Sequence, residues 1–270
     1  MLFDKTTFIG IDPTAGQKPF TYAALDGDLC LLALGQGQLD EVLAFVGGQQ
    51  SAYLGINAPQ RPNQGKMSER KVRSLLDPAP HSGRWKGFRV AEYELHSRGI
   101  SIPRTPATEA KCPRWVRVGF NLFRGVSQLG YVPYDGEAAL SGNFQSPAEG
   151  EGDAHQFLEV YPHGAYSALL GLIPFPKHTL EGRIQRQLVL YLKQLNISNP
   201  MQIFEEITRH RLLQGILPLE GLHSVAELDA LVAAYTAWMA ATKPKEVSLV
   251  GHPEEGQIVL PVAELKAHYE

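Results

Sequence analysis

Cysteine is almost missing from this chain. Its 270 residues include two, Cys30 and Cys112, with no Cys-x-x-Cys and no Cys/His spacing of a zinc ligand set. That argues against a disulfide framework and a structural zinc, and leaves both thiols expected in the reduced state. The nine histidines are scattered as well. His155 and His163, which flank the strand-like run around Glu159, are the two placed to join a site there. Long apolar runs are also lacking. Nothing approaches the roughly 18 to 20 residues that span a bilayer, and Met1-Leu2-Phe3-Asp4-Lys5 has none of the tripartite order of a secretion signal. The expectation is a cytoplasmic protein with no membrane partner. No internal repeat of solenoid period is present.

What the chain does have is enough apolar content, 44%, to bury a substantial core as one domain spanning 1–270 with an inserted piece. The formal net charge of −3 conceals an asymmetry. Residues 61 to 124 hold 14 Lys and Arg against 5 Asp and Glu, leaving 11 against 23 elsewhere. Within this basic block, Arg84-Trp85-Lys86 and Arg114-Trp115-Val116-Arg117 alternate cations with aromatic rings. Such mixtures can contact phosphates while stacking on bases, so Arg84, Trp85, Lys86, Arg114, Trp115 and Arg117 are the candidate nucleic-acid contacts. The alternative is a solvated basic surface balanced by the acidic remainder of the same molecule.

Two segments share a pattern: Phe8-Ile9-Gly10-Ile11-Asp12-Pro13 and Tyr53-Leu54-Gly55-Ile56-Asn57-Ala58-Pro59. Both read as buried strands ended by a turn. Because side chains alternate along a strand, Gly10 and Asp12 share one face, as do Gly55 and Asn57. A Gly two residues behind a polar strand end leaves a shallow place where a helix of small residues can approach closely. Ser224 to Thr242 supplies one. It opens with Ser224 and Glu227 in capping-box spacing, carries Leu228, Leu231, Val232, Tyr235, Trp238 and Met239 on one face, and has Ala230, Ala233, Ala234 and Ala237 as a thin flank. Asp229, in its first two turns, either points inward or complements the positive end of the helix dipole. Glu159 sits among apolar neighbours in a further strand, Gln156 to Tyr161. There it needs either an Arg or a polar site, because a buried carboxylate is costly alone. Carboxylates converging at such a site would repel one another unless cations lay between them.

The order of elements is a three-stranded antiparallel meander turned by Asp26-Gly27-Asp28, then a crossover helix from about Gln38 to Val46, then a strand at Tyr53 parallel to the first. Residues 61–130 read as a basic helical insertion or lid, with helices near 68–76, 90–98 and 115–129. Residues 135–153 read as a mobile loop. Longer helices follow near 179–195, 200–213 and 224–242, and short strands near 247–250 and 257–260 close the chain.

This layout resembles the RNase H-like fold: an α/β domain with a mixed central sheet, the antiparallel meander plus parallel strands, flanked by helices. More narrowly, Phe8 to Gly16, Gly55 to Pro59, Glu159-Val160-Tyr161-Pro162, Leu228 to Ala237 and Glu255 to Pro261 resemble the domain-of-unknown-function family 429, a group of predicted RNase H-like nucleases. The resemblance implies a metal-dependent phosphodiesterase in which Asp12, Glu159 and Asp229 hold Mg²⁺ or Mn²⁺, with nucleic acid as the partner. The family usually has Asp, in a Gly-hydrophobic-Asp-Ala-Pro motif, where this chain has Asn57. An amide oxygen still ligates a hard cation but brings no charge, so a second metal should bind weakly and catalysis should fall or vanish. The alternatives are a noncatalytic protein of the same fold that binds nucleic acid or protein, and a nucleotide-binding protein, since Gly10 to Gly16 is similar to the first phosphate hairpin of actin-like ATPases and sugar kinases.

Overall fold

A computed structural model describes residues 6–14, 19–80, 83–136, 139, 154–202, 213–216 and 219–270. Most of the expected loop at 135–153 and of the expected helix at 200–213 therefore lies outside the described residues.

The meander is present as β1 (Thr7–Asp12), β2 (Phe20–Leu25) and β3 (Leu31–Gly37), each antiparallel to the next. In the β2–β3 connection, Asp26 Oδ1 accepts the amides of Asp28 and Cys30 at 2.9 and 2.8 Å, and Leu29 adopts a left-handed φ of 60°. The first helix, α1 (Leu39–Gly47), crosses to β4 (Ala52–Ile56), which pairs parallel to β1 with Gly10 beside Gly55. Beyond β4 come β6 (His155–Val160) and β8 (Ile258–Leu260), both parallel, then β7 (Ser248–Val250), antiparallel to β8. The short β5 (Val132–Pro133) pairs with β6. The result is an eight-stranded mixed sheet of order β3-β2-β1-β4-β6-β8-β7.

Two helical layers cover the sheet. On one face Ile9, Ile11, Leu54, Ile56 and Phe157 pack with Val42 and Val46 of α1 and with Leu122, Phe123 and Val126 of α4 (Arg114–Gln128). The last helix of the segment read as an insertion therefore supplies core. Its earlier part, with α2 (Arg70–Ser74) and α3 (Val90–Ser97), encloses a smaller cluster around Met67, Phe88, Val90 and Tyr93. On the other face lie α5 (Pro162–Leu170), α6 (Leu180–Leu192) and α7 (Val225–Thr242). The strand pattern of β6 ends in a Pro that also opens α5 at its first position, where a missing N–H costs nothing, and that helix is not anticipated from the sequence.

The helix α7 positions everything that follows. Ser224 and Glu227 form the expected capping box. Its Ala flank lies so close to the sheet that a Cβ on Gly10 would sit 1.8 Å from Ala230 O, and one on Gly55 would sit 2.2 Å from Ala233 O. Both faces of the helix are consequently buried, rather than the apolar stripe alone. No described helix is long and apolar enough to cross a membrane.

Candidate functional site

The approach of α7 to β1 carries Asp229 toward Asp12 at the C-terminal end of the parallel strands. Both side chains are buried. Asn57, one residue beyond β4, donates from Nδ2 to Asp12 Oδ1 at 3.0 Å, and the Thr14 amide donates to the same oxygen at 3.2 Å. Asp229 Oδ2 accepts from Lys177 Nζ at 3.1 Å, the lysine reaching in from a half-exposed position before α6. Burial lifts the Asp12 carboxyl from its ordinary 3.8 to about 7; the charge of Asp229 adds to the rise, while Thr14, Asn57 and Lys177 oppose it. Burial raises Asp229 as well, against the pull of Lys177, Arg186 and His178. Directly across the β1–β2 ladder from Asp12 is Thr21, fully buried, whose hydroxyl finds no hydrogen-bond partner among the described residues. Asp12, Asn57, Asp229, Thr21 and Lys177 thus make one polar cluster in an otherwise apolar layer.

Glu159 does not join it. The register aligns Ile11 with Ile56 and Ile56 with Glu159, so Glu159 projects from the α1/α4 face while Asp12 and Asn57 project from the α7 face. Its partner is the Arg that its burial demanded. Arg89 grips both carboxylate oxygens, Nη1 to Oε2 at 3.0 Å and Nη2 to Oε1, and the Gln60 amide donates to Oε2 at 2.9 Å. Burial works against the charge of Arg89, but Glu159, Glu92 and Glu255 outweigh it and hold the guanidinium above its ordinary pKa. Glu92 in turn accepts the amides of Arg89 and Thr105 at 3.0 and 2.9 Å. Glu255 accepts those of Gln64, Lys66 and Val90 at 2.9 to 3.0 Å. One buried ionic network therefore ties the segment after β4 to the sheet.

The basic candidates divide. Trp85 is enclosed by Phe88, Tyr93 and His96, with ring centroids 5.1 to 5.3 Å away. Lys86 is exposed, and the side chain of Arg84 lies outside the described residues. Arg114 and Arg117 are exposed on the first turn of α4, with Trp115 half-buried between them. Of the two histidines, His155 packs its ring on Tyr131 at 4.8 Å. His163 lies partly buried near Lys177 and Arg186, and burial and both cations lower its pKa. Ala15 and Gly16 of the phosphate-hairpin pattern fall outside the described residues.

Lys177, Thr21, Arg89 and Glu92 are participants that the sequence reading misses. Lys177 lies in a stretch with no periodicity. Thr21 carries a signal only once its pairing with Asp12 is known. Arg89 and Glu92 carry a weak one, being basic and acidic three residues apart at a helix start.

No described group of three or more His, Cys, Asp or Glu is disposed to hold a metal ion. What fold and site define is a mixed α/β protein with a buried pair of carboxylates at the ends of its parallel strands. Residues 137–255 match the model of a family described as a protein of unknown function (DUF429), which supports that part of the resemblance and covers Glu159, Lys177 and Asp229. No curated protein and no solved structure matches the chain.

Proposed function

We propose that the chain is an RNase H-like phosphodiesterase of reduced power, in which Asp12 and Asp229 hold a single divalent cation, Mg²⁺ or Mn²⁺. The observation that carries this reading is the pairing of two buried carboxylates from elements distant in sequence, both raised by burial and with the charge of Asp229 adding to the rise of Asp12, at the strand ends where open α/β sheets place ligands. The strand order, a meander continued by parallel strands, supports the fold assignment.

The donors fit one hard cation: two carboxylates and the orphan hydroxyl of Thr21 are oxygen ligands, while Asn57 meets Asp12 through its Nδ2. They do not fit two. Asn57 brings no charge, and Glu159 faces the other way with both oxygens on Arg89. When bound, such a cation supplies Lewis-acid polarisation of a phosphoryl oxygen. The chain's own residues do the rest. Asn57 and the Thr14 amide hold Asp12 in one orientation, and the half-exposed Lys177 carries a positive charge at the rim that suits a phosphate. The test is calorimetric titration with Mn²⁺ and Mg²⁺ of the wild type and an Asp12→Asn variant, beside a cleavage screen on labelled single-stranded DNA and RNA. Binding lost in the variant, with cleavage that needs the metal, supports the reading. Cation binding unchanged by the substitution refutes it.

A noncatalytic protein that binds nucleic acid is the second reading. It is favoured by the fact that Lys177 and the Asn57 amide already satisfy both acids internally. Its signature is oligonucleotide binding that weakens steeply with salt in a protein with no affinity for either cation.

A further inference from the structure

Beside the acidic pair is a cavity of about 110 Å³, bounded by the turn after β4, the extended stretch at 102–105, Trp115 and Tyr161. Asn57 belongs to both places, donating to Asp12 and lining the cavity. Tyr161 lines the cavity, and it is close enough to Asp229 for that charge to add to the effect of burial in raising its phenol pKa.

The walls are set by the buried ionic network. Glu159 holds the Gln60 amide, Glu92 holds the Thr105 amide, and Arg89 joins the two carboxylates, while Tyr161 donates its hydroxyl to Ser101 O at 2.6 Å. A buried ion pair is a poor source of stability compared with apolar packing. Here it fixes three chain segments around an empty space. The lining is mainly apolar, and its open side is formed by the exposed Pro103 and by Trp115, Tyr161 and Asn57, all half-buried. A cavity of about 150 Å³ takes a benzene ring. One of about 110 Å³ is smaller still, so even with its open side it has room for one ring at most and none for two fused ones. The exposed guanidinium groups of Arg114 and Arg117 flank Trp115 on the same helical turn and suit the phosphates on either side of such a ring.

We propose that this cavity is a base subsite, which takes one pyrimidine of a single-stranded nucleic acid against Trp115 while its backbone crosses the Asp12–Asp229 cluster. The inference rests on the phosphodiesterase reading for the substrate class, and it adds a preference that the acidic site alone does not provide. A purine kept out of the cavity forgoes the stacking on Trp115 that a pyrimidine gains, so the preference should be about tenfold.

The test is fluorescence anisotropy with end-labelled ten-residue oligothymidylate and oligoadenylate in EDTA, so that binding is read without cleavage. The expected result is oligothymidylate binding about tenfold tighter. The preference should survive in Trp115→Phe and shrink to less than about twofold in Trp115→Leu, which keeps apolar packing but removes the stacking surface. Arg114→Ala with Arg117→Ala should weaken both oligonucleotides alike. Equal affinity of the wild type for both, no binding of either, or a preference retained in Trp115→Leu overturns the proposal. Cleavage in Mn²⁺ is scored separately. A Trp115-dependent preference without cleavage leaves the base subsite standing and removes the nuclease reading, and cleavage without preference does the reverse.

Discussion

The Asn57 amide donates to Asp12 Oδ1 at 3.0 Å, so an uncharged side chain beside the acidic pair serves as a donor to a buried acid. A carboxylate cannot donate in that way unless it is protonated.

Asn57→Asp should therefore have two opposite effects. Without metal, a third carboxylate beside Asp12 and Asp229 should lower stability at pH 8 by roughly 1 to 3 kcal/mol. With Mn²⁺ it should tighten binding by about tenfold or more, since the added charge favours the cation. Chemical denaturation and calorimetry read the two separately, and unchanged cation affinity would remove Asn57 from the site.

The raised pKa of Asp12 predicts a pH dependence of definite sign. The folded acid titrates near 7 and the unfolded one near 3.8. Between those values the folded chain holds a proton that the unfolded chain has released, so stability is greatest at the acidic end of the window. It declines as pH rises toward 7 and levels off above. Asp12→Asn should flatten this slope and raise the thermal midpoint at pH 8 by about 4 to 8 °C, on the scale of ~2 kcal/mol. The residual slope includes Asp229, Glu92 and Glu94, all of which burial shifts in the same direction. Melting curves of both proteins from pH 4 to 8 give the comparison.

Glu159 and Arg89 should behave as structure rather than as metal ligands. Arg89→Met strands Glu159 and Glu92 without their cation and should cost about 3 to 5 kcal/mol. Glu159→Gln should destabilise too, yet leave Mn²⁺ affinity within about twofold of wild type, because Glu159 lies on the other face of the sheet. A tenfold loss of affinity in that variant would return Glu159 to the metal site.

Gly10→Ala tests the contact on which the acidic pair depends. A methyl group 1.8 Å from Ala230 O can be accommodated only by moving α7 off the sheet, since the obstacle is backbone. The expected cost is at least about 3 kcal/mol, with loss of whatever cation binding the wild type shows. Full stability in this variant would mean that α7 does not pack as described.

Much of this was legible from local pattern. Strand alternation put Gly10 with Asp12 and Gly55 with Asn57, and the Ala flank of α7 announced a close approach; the structure brings these together as expected. Alternation also carried the information that separates Glu159 from Asp12, but only register converts it into a direction. A strand states which residues share a face, not which face of the sheet that is until its pairing with Ile56 is known.

By itself, then, the sequence determined the meander, the crossover, the capped α7 and the small-residue contact, because these follow from period, turn chemistry and side-chain size within short windows. It also determined that a buried Glu159 needs a partner. Only the tertiary structure decided that the partner is Arg89, 70 residues away, that Lys177 rests on Asp229, and that Thr21 lies opposite Asp12. Such pairings depend on strand register and helix placement, and both are set by the whole core, because shifting one strand by a single residue would send every side chain on it to the opposite layer.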